Sequence, residues 1–259
     1  MTALTTHPLP TRKAEDWRYS DVDALAQIWP VAAPERIDVA AGEKATRTIL
    51  QDAGDDAVIV RDHVVSVGEG GRFGVHLLNI GGRLGRVTFD VTLARGAHFE
   101  LSAAIIGGGE QTLEVVTTVT HAEPAGTSQQ TVRSVLAGHA TGNYLGRIAV
   151  ARDAQKTDAA QSVKAMLLDR TATANAKPEL EIFADDVKCA HGATVGELDK
   201  TALFYCAARG IDPATARTLL LQAFIAGLFD DMTDAAERER FEAAALAKMA
   251  SLSGVEVIA

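Results

Sequence analysis

Residues 87–120 have the sequence VTFDVTLARGAHFELSAAIIGGGEQTLEVVTTVT, and this stretch decides the fold class. It contains three short runs rich in β-branched and apolar residues, at 87–93, 98–106 and 113–120, separated by glycine-containing turns. Runs of this composition with glycine between them are typical of β-strands joined by tight turns. We therefore predict three consecutive strands.

The same pattern extends in both directions. Further strand-like runs occur at residues 58–60, 64–67, 131–136, 144–150, 162–168 and 179–183. No helical periodicity interrupts them, so we predict a mainly β core over residues 57–196. The spacing of the runs fits the half-coils of a solenoid, but a sandwich or a barrel would give similar spacing, and the pattern leaves all three open.

The residues before this core predict less regular structure. Residues 14–29 have the composition of a short amphipathic helix that ends at Pro30, with Trp17 on its apolar side. Residues 36–56 are mixed and acidic, and we predict a loosely structured lead-in there. Residues 1–56 are thus expected to form an N-terminal helical segment and lead-in.

The residues after Gly196 predict helices. We expect them at about 197–209, 212–230 and 233–252, so that 197–259 forms a C-terminal helical domain. Asp212 followed by Pro213 is typical of a helix N-terminus, Asp234 and Glu237 have capping-box-like spacing, and Gly210 is placed to end the first helix.

The second of these helices is apolar nearly all round. Besides a first apolar stripe, Leu221, Ile225 and Phe229 form a second one. Such a helix is buried on two sides, either between its neighbouring helices and the β core or with one stripe against another protein. We predict that the second stripe is a docking face for a partner.

Composition excludes several functional classes. The net charge of -9 and the pI near 5.3 disfavour nucleic acid as a partner. Cys189 and Cys206 are the two cysteines, too few for a disulfide framework, and we expect a reducing compartment. No run has the length of a membrane span or a signal peptide, so we expect a cytoplasmic protein that does not bind membranes.

Motifs for common enzyme chemistry are absent from the sequence. There is no phosphate-binding loop of the Gly-x-x-x-x-Gly-Lys type, no Gly-x-Ser-x-Gly elbow and no His-Glu-x-x-His motif. We therefore predict that the chain is not an enzyme and has no catalytic residue. The alternative that we keep is a β-solenoid enzyme acting on carbohydrate, although Tyr144 is almost alone as an aromatic platform for sugar.

Cys189 and His191 form the remaining candidate site. They lie two residues apart in a predicted strand, so both side chains project to the same face. A thiolate and an imidazole side by side can bind iron or hold a sulfur intermediate. A plainly buried cysteine is the structural alternative, because two residues alone lack the ligands of a tetrahedral site.

Several motifs together make this sequence similar to the SufB/SufD family. They are HAEP at 121–124, TSQQ at 127–130, GRI at 146–148, AQKTDA at 154–159, PELEIFADDVKCAHGATVG at 178–196, LFY at 203–205 and RGI at 209–211, with EDWRY at 15–19 as a weaker echo. The sequence His191-Gly-Ala-Thr resembles the SufD branch, whereas the SufB branch tends to have Glu after this histidine. Ala190 stands where the family commonly has Ser, and the region before the core is shorter than in many relatives.

The resemblance implies a right-handed parallel β-helix with C-terminal helices. It implies a non-catalytic scaffold subunit in iron-sulfur cluster assembly, which pairs with a SufB-like subunit through the β-helix and with a SufC-like ATPase through the C-terminal helices. No cofactor would be tightly bound to the isolated chain, and a homodimer stays open for the chain alone. His191, with Cys189 as its neighbour, would meet iron or a nascent cluster at the SufB interface.

Overall fold

The computed structural model describes residues 4–5 and 7–253. A 3₁₀ helix at Glu15–Trp17 and helix α1 at Val22–Ala26 precede twelve strands and three further helices. The strands are β1 Glu35–Val39, β2 Lys44–Gln51, β3 Val58–Val67, β4 Arg72–Asn79, β5 Leu84–Leu93, β6 His98–Gly107, β7 Thr112–His121, β8 Thr127–Leu136, β9 Thr141–Val150, β10 Asp158–Leu167, β11 Thr173–Ile182 and β12 Lys188–Gly196. The helices are α2 Lys200–Ala208, α3 Pro213–Ile225 and α4 Ala235–Ser253.

The strands form a parallel β-solenoid of about six turns, which confirms the predicted fold class. Odd-numbered strands make one six-stranded sheet, the odd sheet, in the order β1-β3-β5-β7-β9-β11. Even-numbered strands make the other, the even sheet, in the order β12-β10-β8-β6-β4-β2. The chain alternates between the two sheets, so each turn of the solenoid contributes one strand to each.

Alternate side chains of both sheets fill the space between them. A single cluster of buried apolar residues includes Val75 and Leu101 from the even sheet and Val87 and Phe89 from the odd sheet. The turns also stack on one another: the amide of His139 donates to the carbonyl of Gly109 at 2.8 Å. Gly109 and Gly138 have φ of 58° and 63° there, a conformation that glycine adopts without steric cost.

The N-terminal residues cover the outer face of the odd sheet. A buried ion pair joins Arg86 of β5 to Glu114 of β7, with 2.6 Å between Nη1 and Oε2. The ring of Trp17 lies over the Arg86 guanidinium, and the Ser20 hydroxyl donates to Glu114. Both charges are thus desolvated but compensated, a requirement for burying an ion pair.

Two predictions for the N-terminal region are wrong. The predicted helix at 14–29 is interrupted, and only Glu15–Trp17 and Val22–Ala26 are helical. The predicted lead-in at 36–56 contains β1 and β2, so the solenoid begins at Glu35. These two strands form the first turn, and each pairs with one neighbouring strand among the described residues. Most of their outward side chains are exposed, whereas most inward ones are partly or fully buried, as alternation along a strand requires.

The C-terminal helices pack on the outer face of the even sheet. Residues of β4, β6 and β8 share one apolar cluster with α3 and α4, including Leu78, Ile106 and Phe241. The predicted caps are confirmed, since the Asp212 carboxylate accepts from the amides of Ala214 and Thr215, at 3.0 Å each, and Asp234 caps α4 in the same way.

The second apolar stripe predicted for this helix faces the cluster, although α3 ends at Ile225 and Phe229 lies in the turn that follows. Leu221, Ile225 and Phe229 are 0%, 7% and 3% exposed, and all three belong to the apolar cluster shared with the even sheet. In this structure the stripe joins the helices to the solenoid and is not an exposed docking face. The cause is that the even sheet presents its own apolar residues outward at this point, and two apolar surfaces bury each other.

Within residues 4–5 and 7–253, we find no helix of the length and apolar character that crossing a membrane requires.

We expect His121 to make stability depend on pH. It is fully buried, its Nε2 lies 2.9 Å from the Ser128 hydroxyl, and burial lowers its pKa to about 4. Below the ordinary histidine pKa of 6.5, this side chain binds a proton in the unfolded chain but not in the folded chain. The free energy of unfolding therefore falls as the pH drops toward 4. Between pH 7 and pH 5 we expect His121 to cost about 2 kcal/mol.

Urea unfolding of His121→Gln at the two pH values tests this expectation. The variant should be less stable than the parent at pH 7 but lose about 2 kcal/mol less on acidification. His139→Gln, at an exposed histidine, is the control and should behave as the parent does. An unchanged pH dependence in His121→Gln would contradict the assignment.

Candidate functional site

Strand β12 is the last strand of the even sheet and carries the two predicted site residues. It pairs with β10 on one side, where Cys189 is the register partner of Ala159 and His191 that of Gln161. Its other edge has no paired strand among the described residues. The prediction that this segment is a strand with both side chains on one face is therefore confirmed.

That face is the inner face of the solenoid. Ala159 and Gln161, their register partners, are 1% and 3% exposed and point between the sheets. Cys189 packs against the apolar cluster that contains Ala159 and is half-buried, whereas His191 is exposed. Both residues are less buried than their register partners, because no further turn covers the inner face of β12 in the described structure. The site thus lies at the open end of the solenoid.

The Cys189 thiol is electrostatically disfavoured as a thiolate. Burial and the nearby Asp158 carboxylate raise the pKa of the Cys189 thiol, and a hydrogen bond with the Ala159 backbone offsets this only in part. The Cys189 thiol must therefore lose its proton before its Sγ atom binds a metal ion or an incoming sulfur species.

The two side chains supply at most part of a metal site. In the described part of the chain there is no group of three or more His, Cys, Asp or Glu residues arranged to hold a metal ion. Iron bound here would need ligands from outside these residues, since tetrahedral sites take four. The donor types fit iron, but the donor count does not complete a site.

The open end also exposes apolar side chains and strand edges. Ile182 and Phe183, at the end of β11, are 38% and 56% exposed, and Val195 of β12 is 50% exposed. Strands β11 and β12 each end a sheet, so their outer backbone N–H and C=O groups are unpaired in the described structure. Unpaired edges with apolar neighbours are surfaces that other strands can join.

Helix α2 presents an exposed aromatic pair that the sequence prediction did not assign. Phe204 and Tyr205 are 74% and 59% exposed, and no residue of α2 is buried. We call Phe204 and Tyr205 the α2 aromatic face. A signal was present in the sequence, because two adjacent aromatics in a short helix cannot both face one neighbour.

Tyr144, the aromatic considered as a sugar platform, is buried inside the solenoid. It is 2% exposed and its hydroxyl bonds to Gln130 and Gln161. It offers no surface on which a sugar ring could stack, which removes the main residue that the carbohydrate alternative relied on.

A parallel β-solenoid with an open-ended Cys-x-His strand and packed C-terminal helices defines the structural class. Comparison with known proteins then supplies the family: residues 31–224 match the model described as SUF system FeS cluster assembly, SufBD core domain. The chain belongs to the SufBD family of iron-sulfur cluster assembly proteins, and it is most like the SufD members.

Individual relatives agree with this assignment. The chain is 40% identical over 150 residues to Protein ABCI7, chloroplastic, of Arabidopsis thaliana, covering 57% of this chain and 31% of that protein. It is 31% identical over 194 residues to a SufBD family protein of Synechocystis, covering 74% and 43%. It is 38% identical over 107 residues to SufD of Escherichia coli, covering 41% and 25%. The matches thus span less than half the length of each of these relatives.

We expect the Cys189 thiol to react slowly near neutral pH. Alkylation by iodoacetamide requires the thiolate, and the raised pKa keeps this form scarce. The Cys206→Ser variant leaves Cys189 as the sole thiol. Its alkylation rate should still rise with pH at pH 8.5, which is about the ordinary pKa of a cysteine thiol. Mass spectrometry of the alkylated chain gives the rate, and a plateau below that pH would contradict the expectation.

Proposed function

We propose that this chain is a non-catalytic scaffold subunit of the SUF machinery, whose open solenoid end pairs with a SufB-like subunit around a nascent iron-sulfur cluster. The observation that carries the proposal is the position of Cys189 and His191 on the uncovered inner face of the last strand. The membership of the SufBD family supports it.

The open end has the features of a strand-pairing interface. Two unpaired strand edges lie beside the exposed Phe183 and Val195 side chains. A partner that adds strands there would satisfy the backbone groups and bury apolar surface together. A second copy of the chain is the alternative occupant when no SufB-like subunit is present, and the same edges would then hold a homodimer.

Cluster binding at this interface would be shared between subunits. His191 offers an imidazole that is already exposed, and Cys189 offers a thiol that loses its proton as iron binds. The incomplete donor set of the described chain is consistent with a site that the partner finishes. Iron and sulfide are the cargo of this site and leave with the finished cluster.

The C-terminal helices would dock a SufC-like ATPase, but through a different surface from the stripe predicted from sequence. Leu221, Ile225 and Phe229 are occupied in packing on the solenoid. The α2 aromatic face is exposed, and α2 contacts little besides α3. Exposed aromatic residues are frequent energetic centres of protein interfaces.

We predict that His191→Ala impairs cluster assembly and leaves the fold intact. The side chain is exposed, so its removal costs little packing energy. The variant should co-purify with SufB-like and SufC-like partners in normal ratio, while iron and sulfide per complex fall severalfold. His139→Ala, at another exposed histidine, is the control. Full iron and sulfide content in His191→Ala would show that the histidine is not a cluster ligand.

We predict that changing the α2 aromatic face weakens ATPase binding. The double variant Phe204→Ala, Tyr205→Ala should raise the Kd for a SufC-like ATPase by at least about tenfold, since a buried aromatic hot spot contributes 2 kcal/mol or more. Glu239→Ala, at an exposed position of α4, should bind as the parent does. Calorimetric titration measures both, and unchanged affinity in the double variant would remove α2 from the interface.

A further inference from the structure

A row of polar side chains leads from the solenoid interior to the open end. Gln130 of β8 is the register partner of Gln161 of β10, which in turn is the register partner of His191 of β12. Gln130 and Gln161 are 0% and 3% exposed, whereas His191 is exposed. His191 is therefore the outermost member of a row whose inner members are buried.

Hydrogen bonds from the odd sheet fix the inner part of this row. Thr117 Oγ1 and the Tyr144 hydroxyl donate to Gln130 Oε1, at 2.7 and 3.1 Å. Because a phenol has one proton, the Tyr144 hydroxyl acts as an acceptor toward Gln161. Gln161 Nε2 donates to it at 3.1 Å. The orientation of the Gln161 amide is thus determined by Tyr144.

Tyr144 leaves the Gln161 oxygen free to pair with the last strand. Gln161 Nε2 is held by Tyr144, which belongs to β9, the strand before β10 along the chain. Oε1 is the other polar atom of the same amide, and β10 has β12 as its neighbour on the side away from β8. This oxygen is buried and has no hydrogen-bond partner in the described part of the chain. A buried acceptor without a donor is rare in folded proteins.

The His191 imidazole carries a donor on the neighbouring strand, at the register position next to Gln161. Neighbouring strands lie about 4.8 Å apart, within reach of a glutamine side chain. We propose that Gln161 is a positioning residue: its Oε1, unpartnered within the described structure, accepts the N–H of one His191 ring nitrogen when the exposed imidazole turns toward it, so that the other nitrogen, unprotonated, faces the open end. A second group that fixes tautomer and ring orientation in this way is usual for histidines that bind metals.

The proposal rests on the proposed function in one respect, that the freed nitrogen is the atom that would bind iron. The hydrogen bond itself belongs to the chain alone and is tested there. The long-range ¹H–¹⁵N spectrum of the ¹⁵N-labelled chain reports the ratio of the two His191 tautomers. His191→Ala assigns the signals.

We expect one tautomer to dominate in the parent chain. Gln161→Leu removes the acceptor and should lower the tautomer ratio roughly two- to tenfold, the factor that a typical hydrogen bond contributes. Gln161→Met, closer in length, is a second variant without an amide acceptor, and circular dichroism verifies the fold of each. Gln51→Leu is the matched control, because it removes another buried glutamine of the even sheet, on β2 at the other end of the solenoid, and it should leave the ratio unchanged.

Two results would overturn the proposal. An unchanged ratio in the folded Gln161 variants would mean that Gln161 Oε1 has another partner, such as the buried Gln130 Nε2, which also lacks one in the described chain. An equal change in Gln51→Leu would mean that a general loss of packing in the solenoid, and not the Gln161 contact, sets the tautomer. If instead the ratio responds as expected while His191→Ala still assembles normal clusters, the positioning contact stands and the proposed cluster role fails.

Discussion

The in-register stacking of parallel turns is the constraint on which the rest of this structure depends. Inward-facing residues that are register partners on successive strands form rows across the even sheet. One such row consists of Arg47, Val75, Leu101, Gln130, Gln161 and His191. Because the register is exact along the row, the identity of each residue sets the surroundings of the next. Arg47, Val75 and Leu101 occupy the first turns of the row, and polar residues occupy the later turns, where Thr117 and Tyr144 hydrogen-bond to Gln130 and Gln161. The site at His191 is the end of this row.

The first and last turns of the solenoid differ in the side chains that they present at the ends of the stack. At the first turn, Arg47 of β2 forms an ion pair with Glu35 of β1. Charged groups across the interior discourage a further strand there. At the last turn, β12 offers Cys189, His191 and the exposed Val195 with no ion pair across them in the described structure. The asymmetry makes the last turn the end suited to a partner.

The sequence predicted those features that depend on local composition. Strand runs, the Asp212 cap and the shared face of Cys189 and His191 follow from propensity, side-chain chemistry and a period of two. β1 and β2 were missed because the first turn is exposed at alternate positions and carries charges, so it lacks the apolar runs of inner turns. The α3 stripe was misassigned because apolarity all round a helix does not say whether a sheet or a partner covers it. Gln161 and His191 are register partners although they lie thirty positions apart in the sequence. This register depends on the number of residues in each turn of the solenoid, which the sequence pattern does not specify.

The α2 aromatic face and the candidate site are distinct surfaces with a short covalent connection. β12 ends at Gly196 and α2 begins at Lys200, and three residues span at most about 11 Å when extended. β12 is held in the even sheet by β10 alone, whereas inner strands are held on both sides. A displacement of α2 would therefore act first on a strand that only one neighbouring strand holds in its sheet. If an ATPase docks on α2, its movements reach His191 through this connection, and the packing of α3 on the even sheet keeps the rest of the solenoid in place.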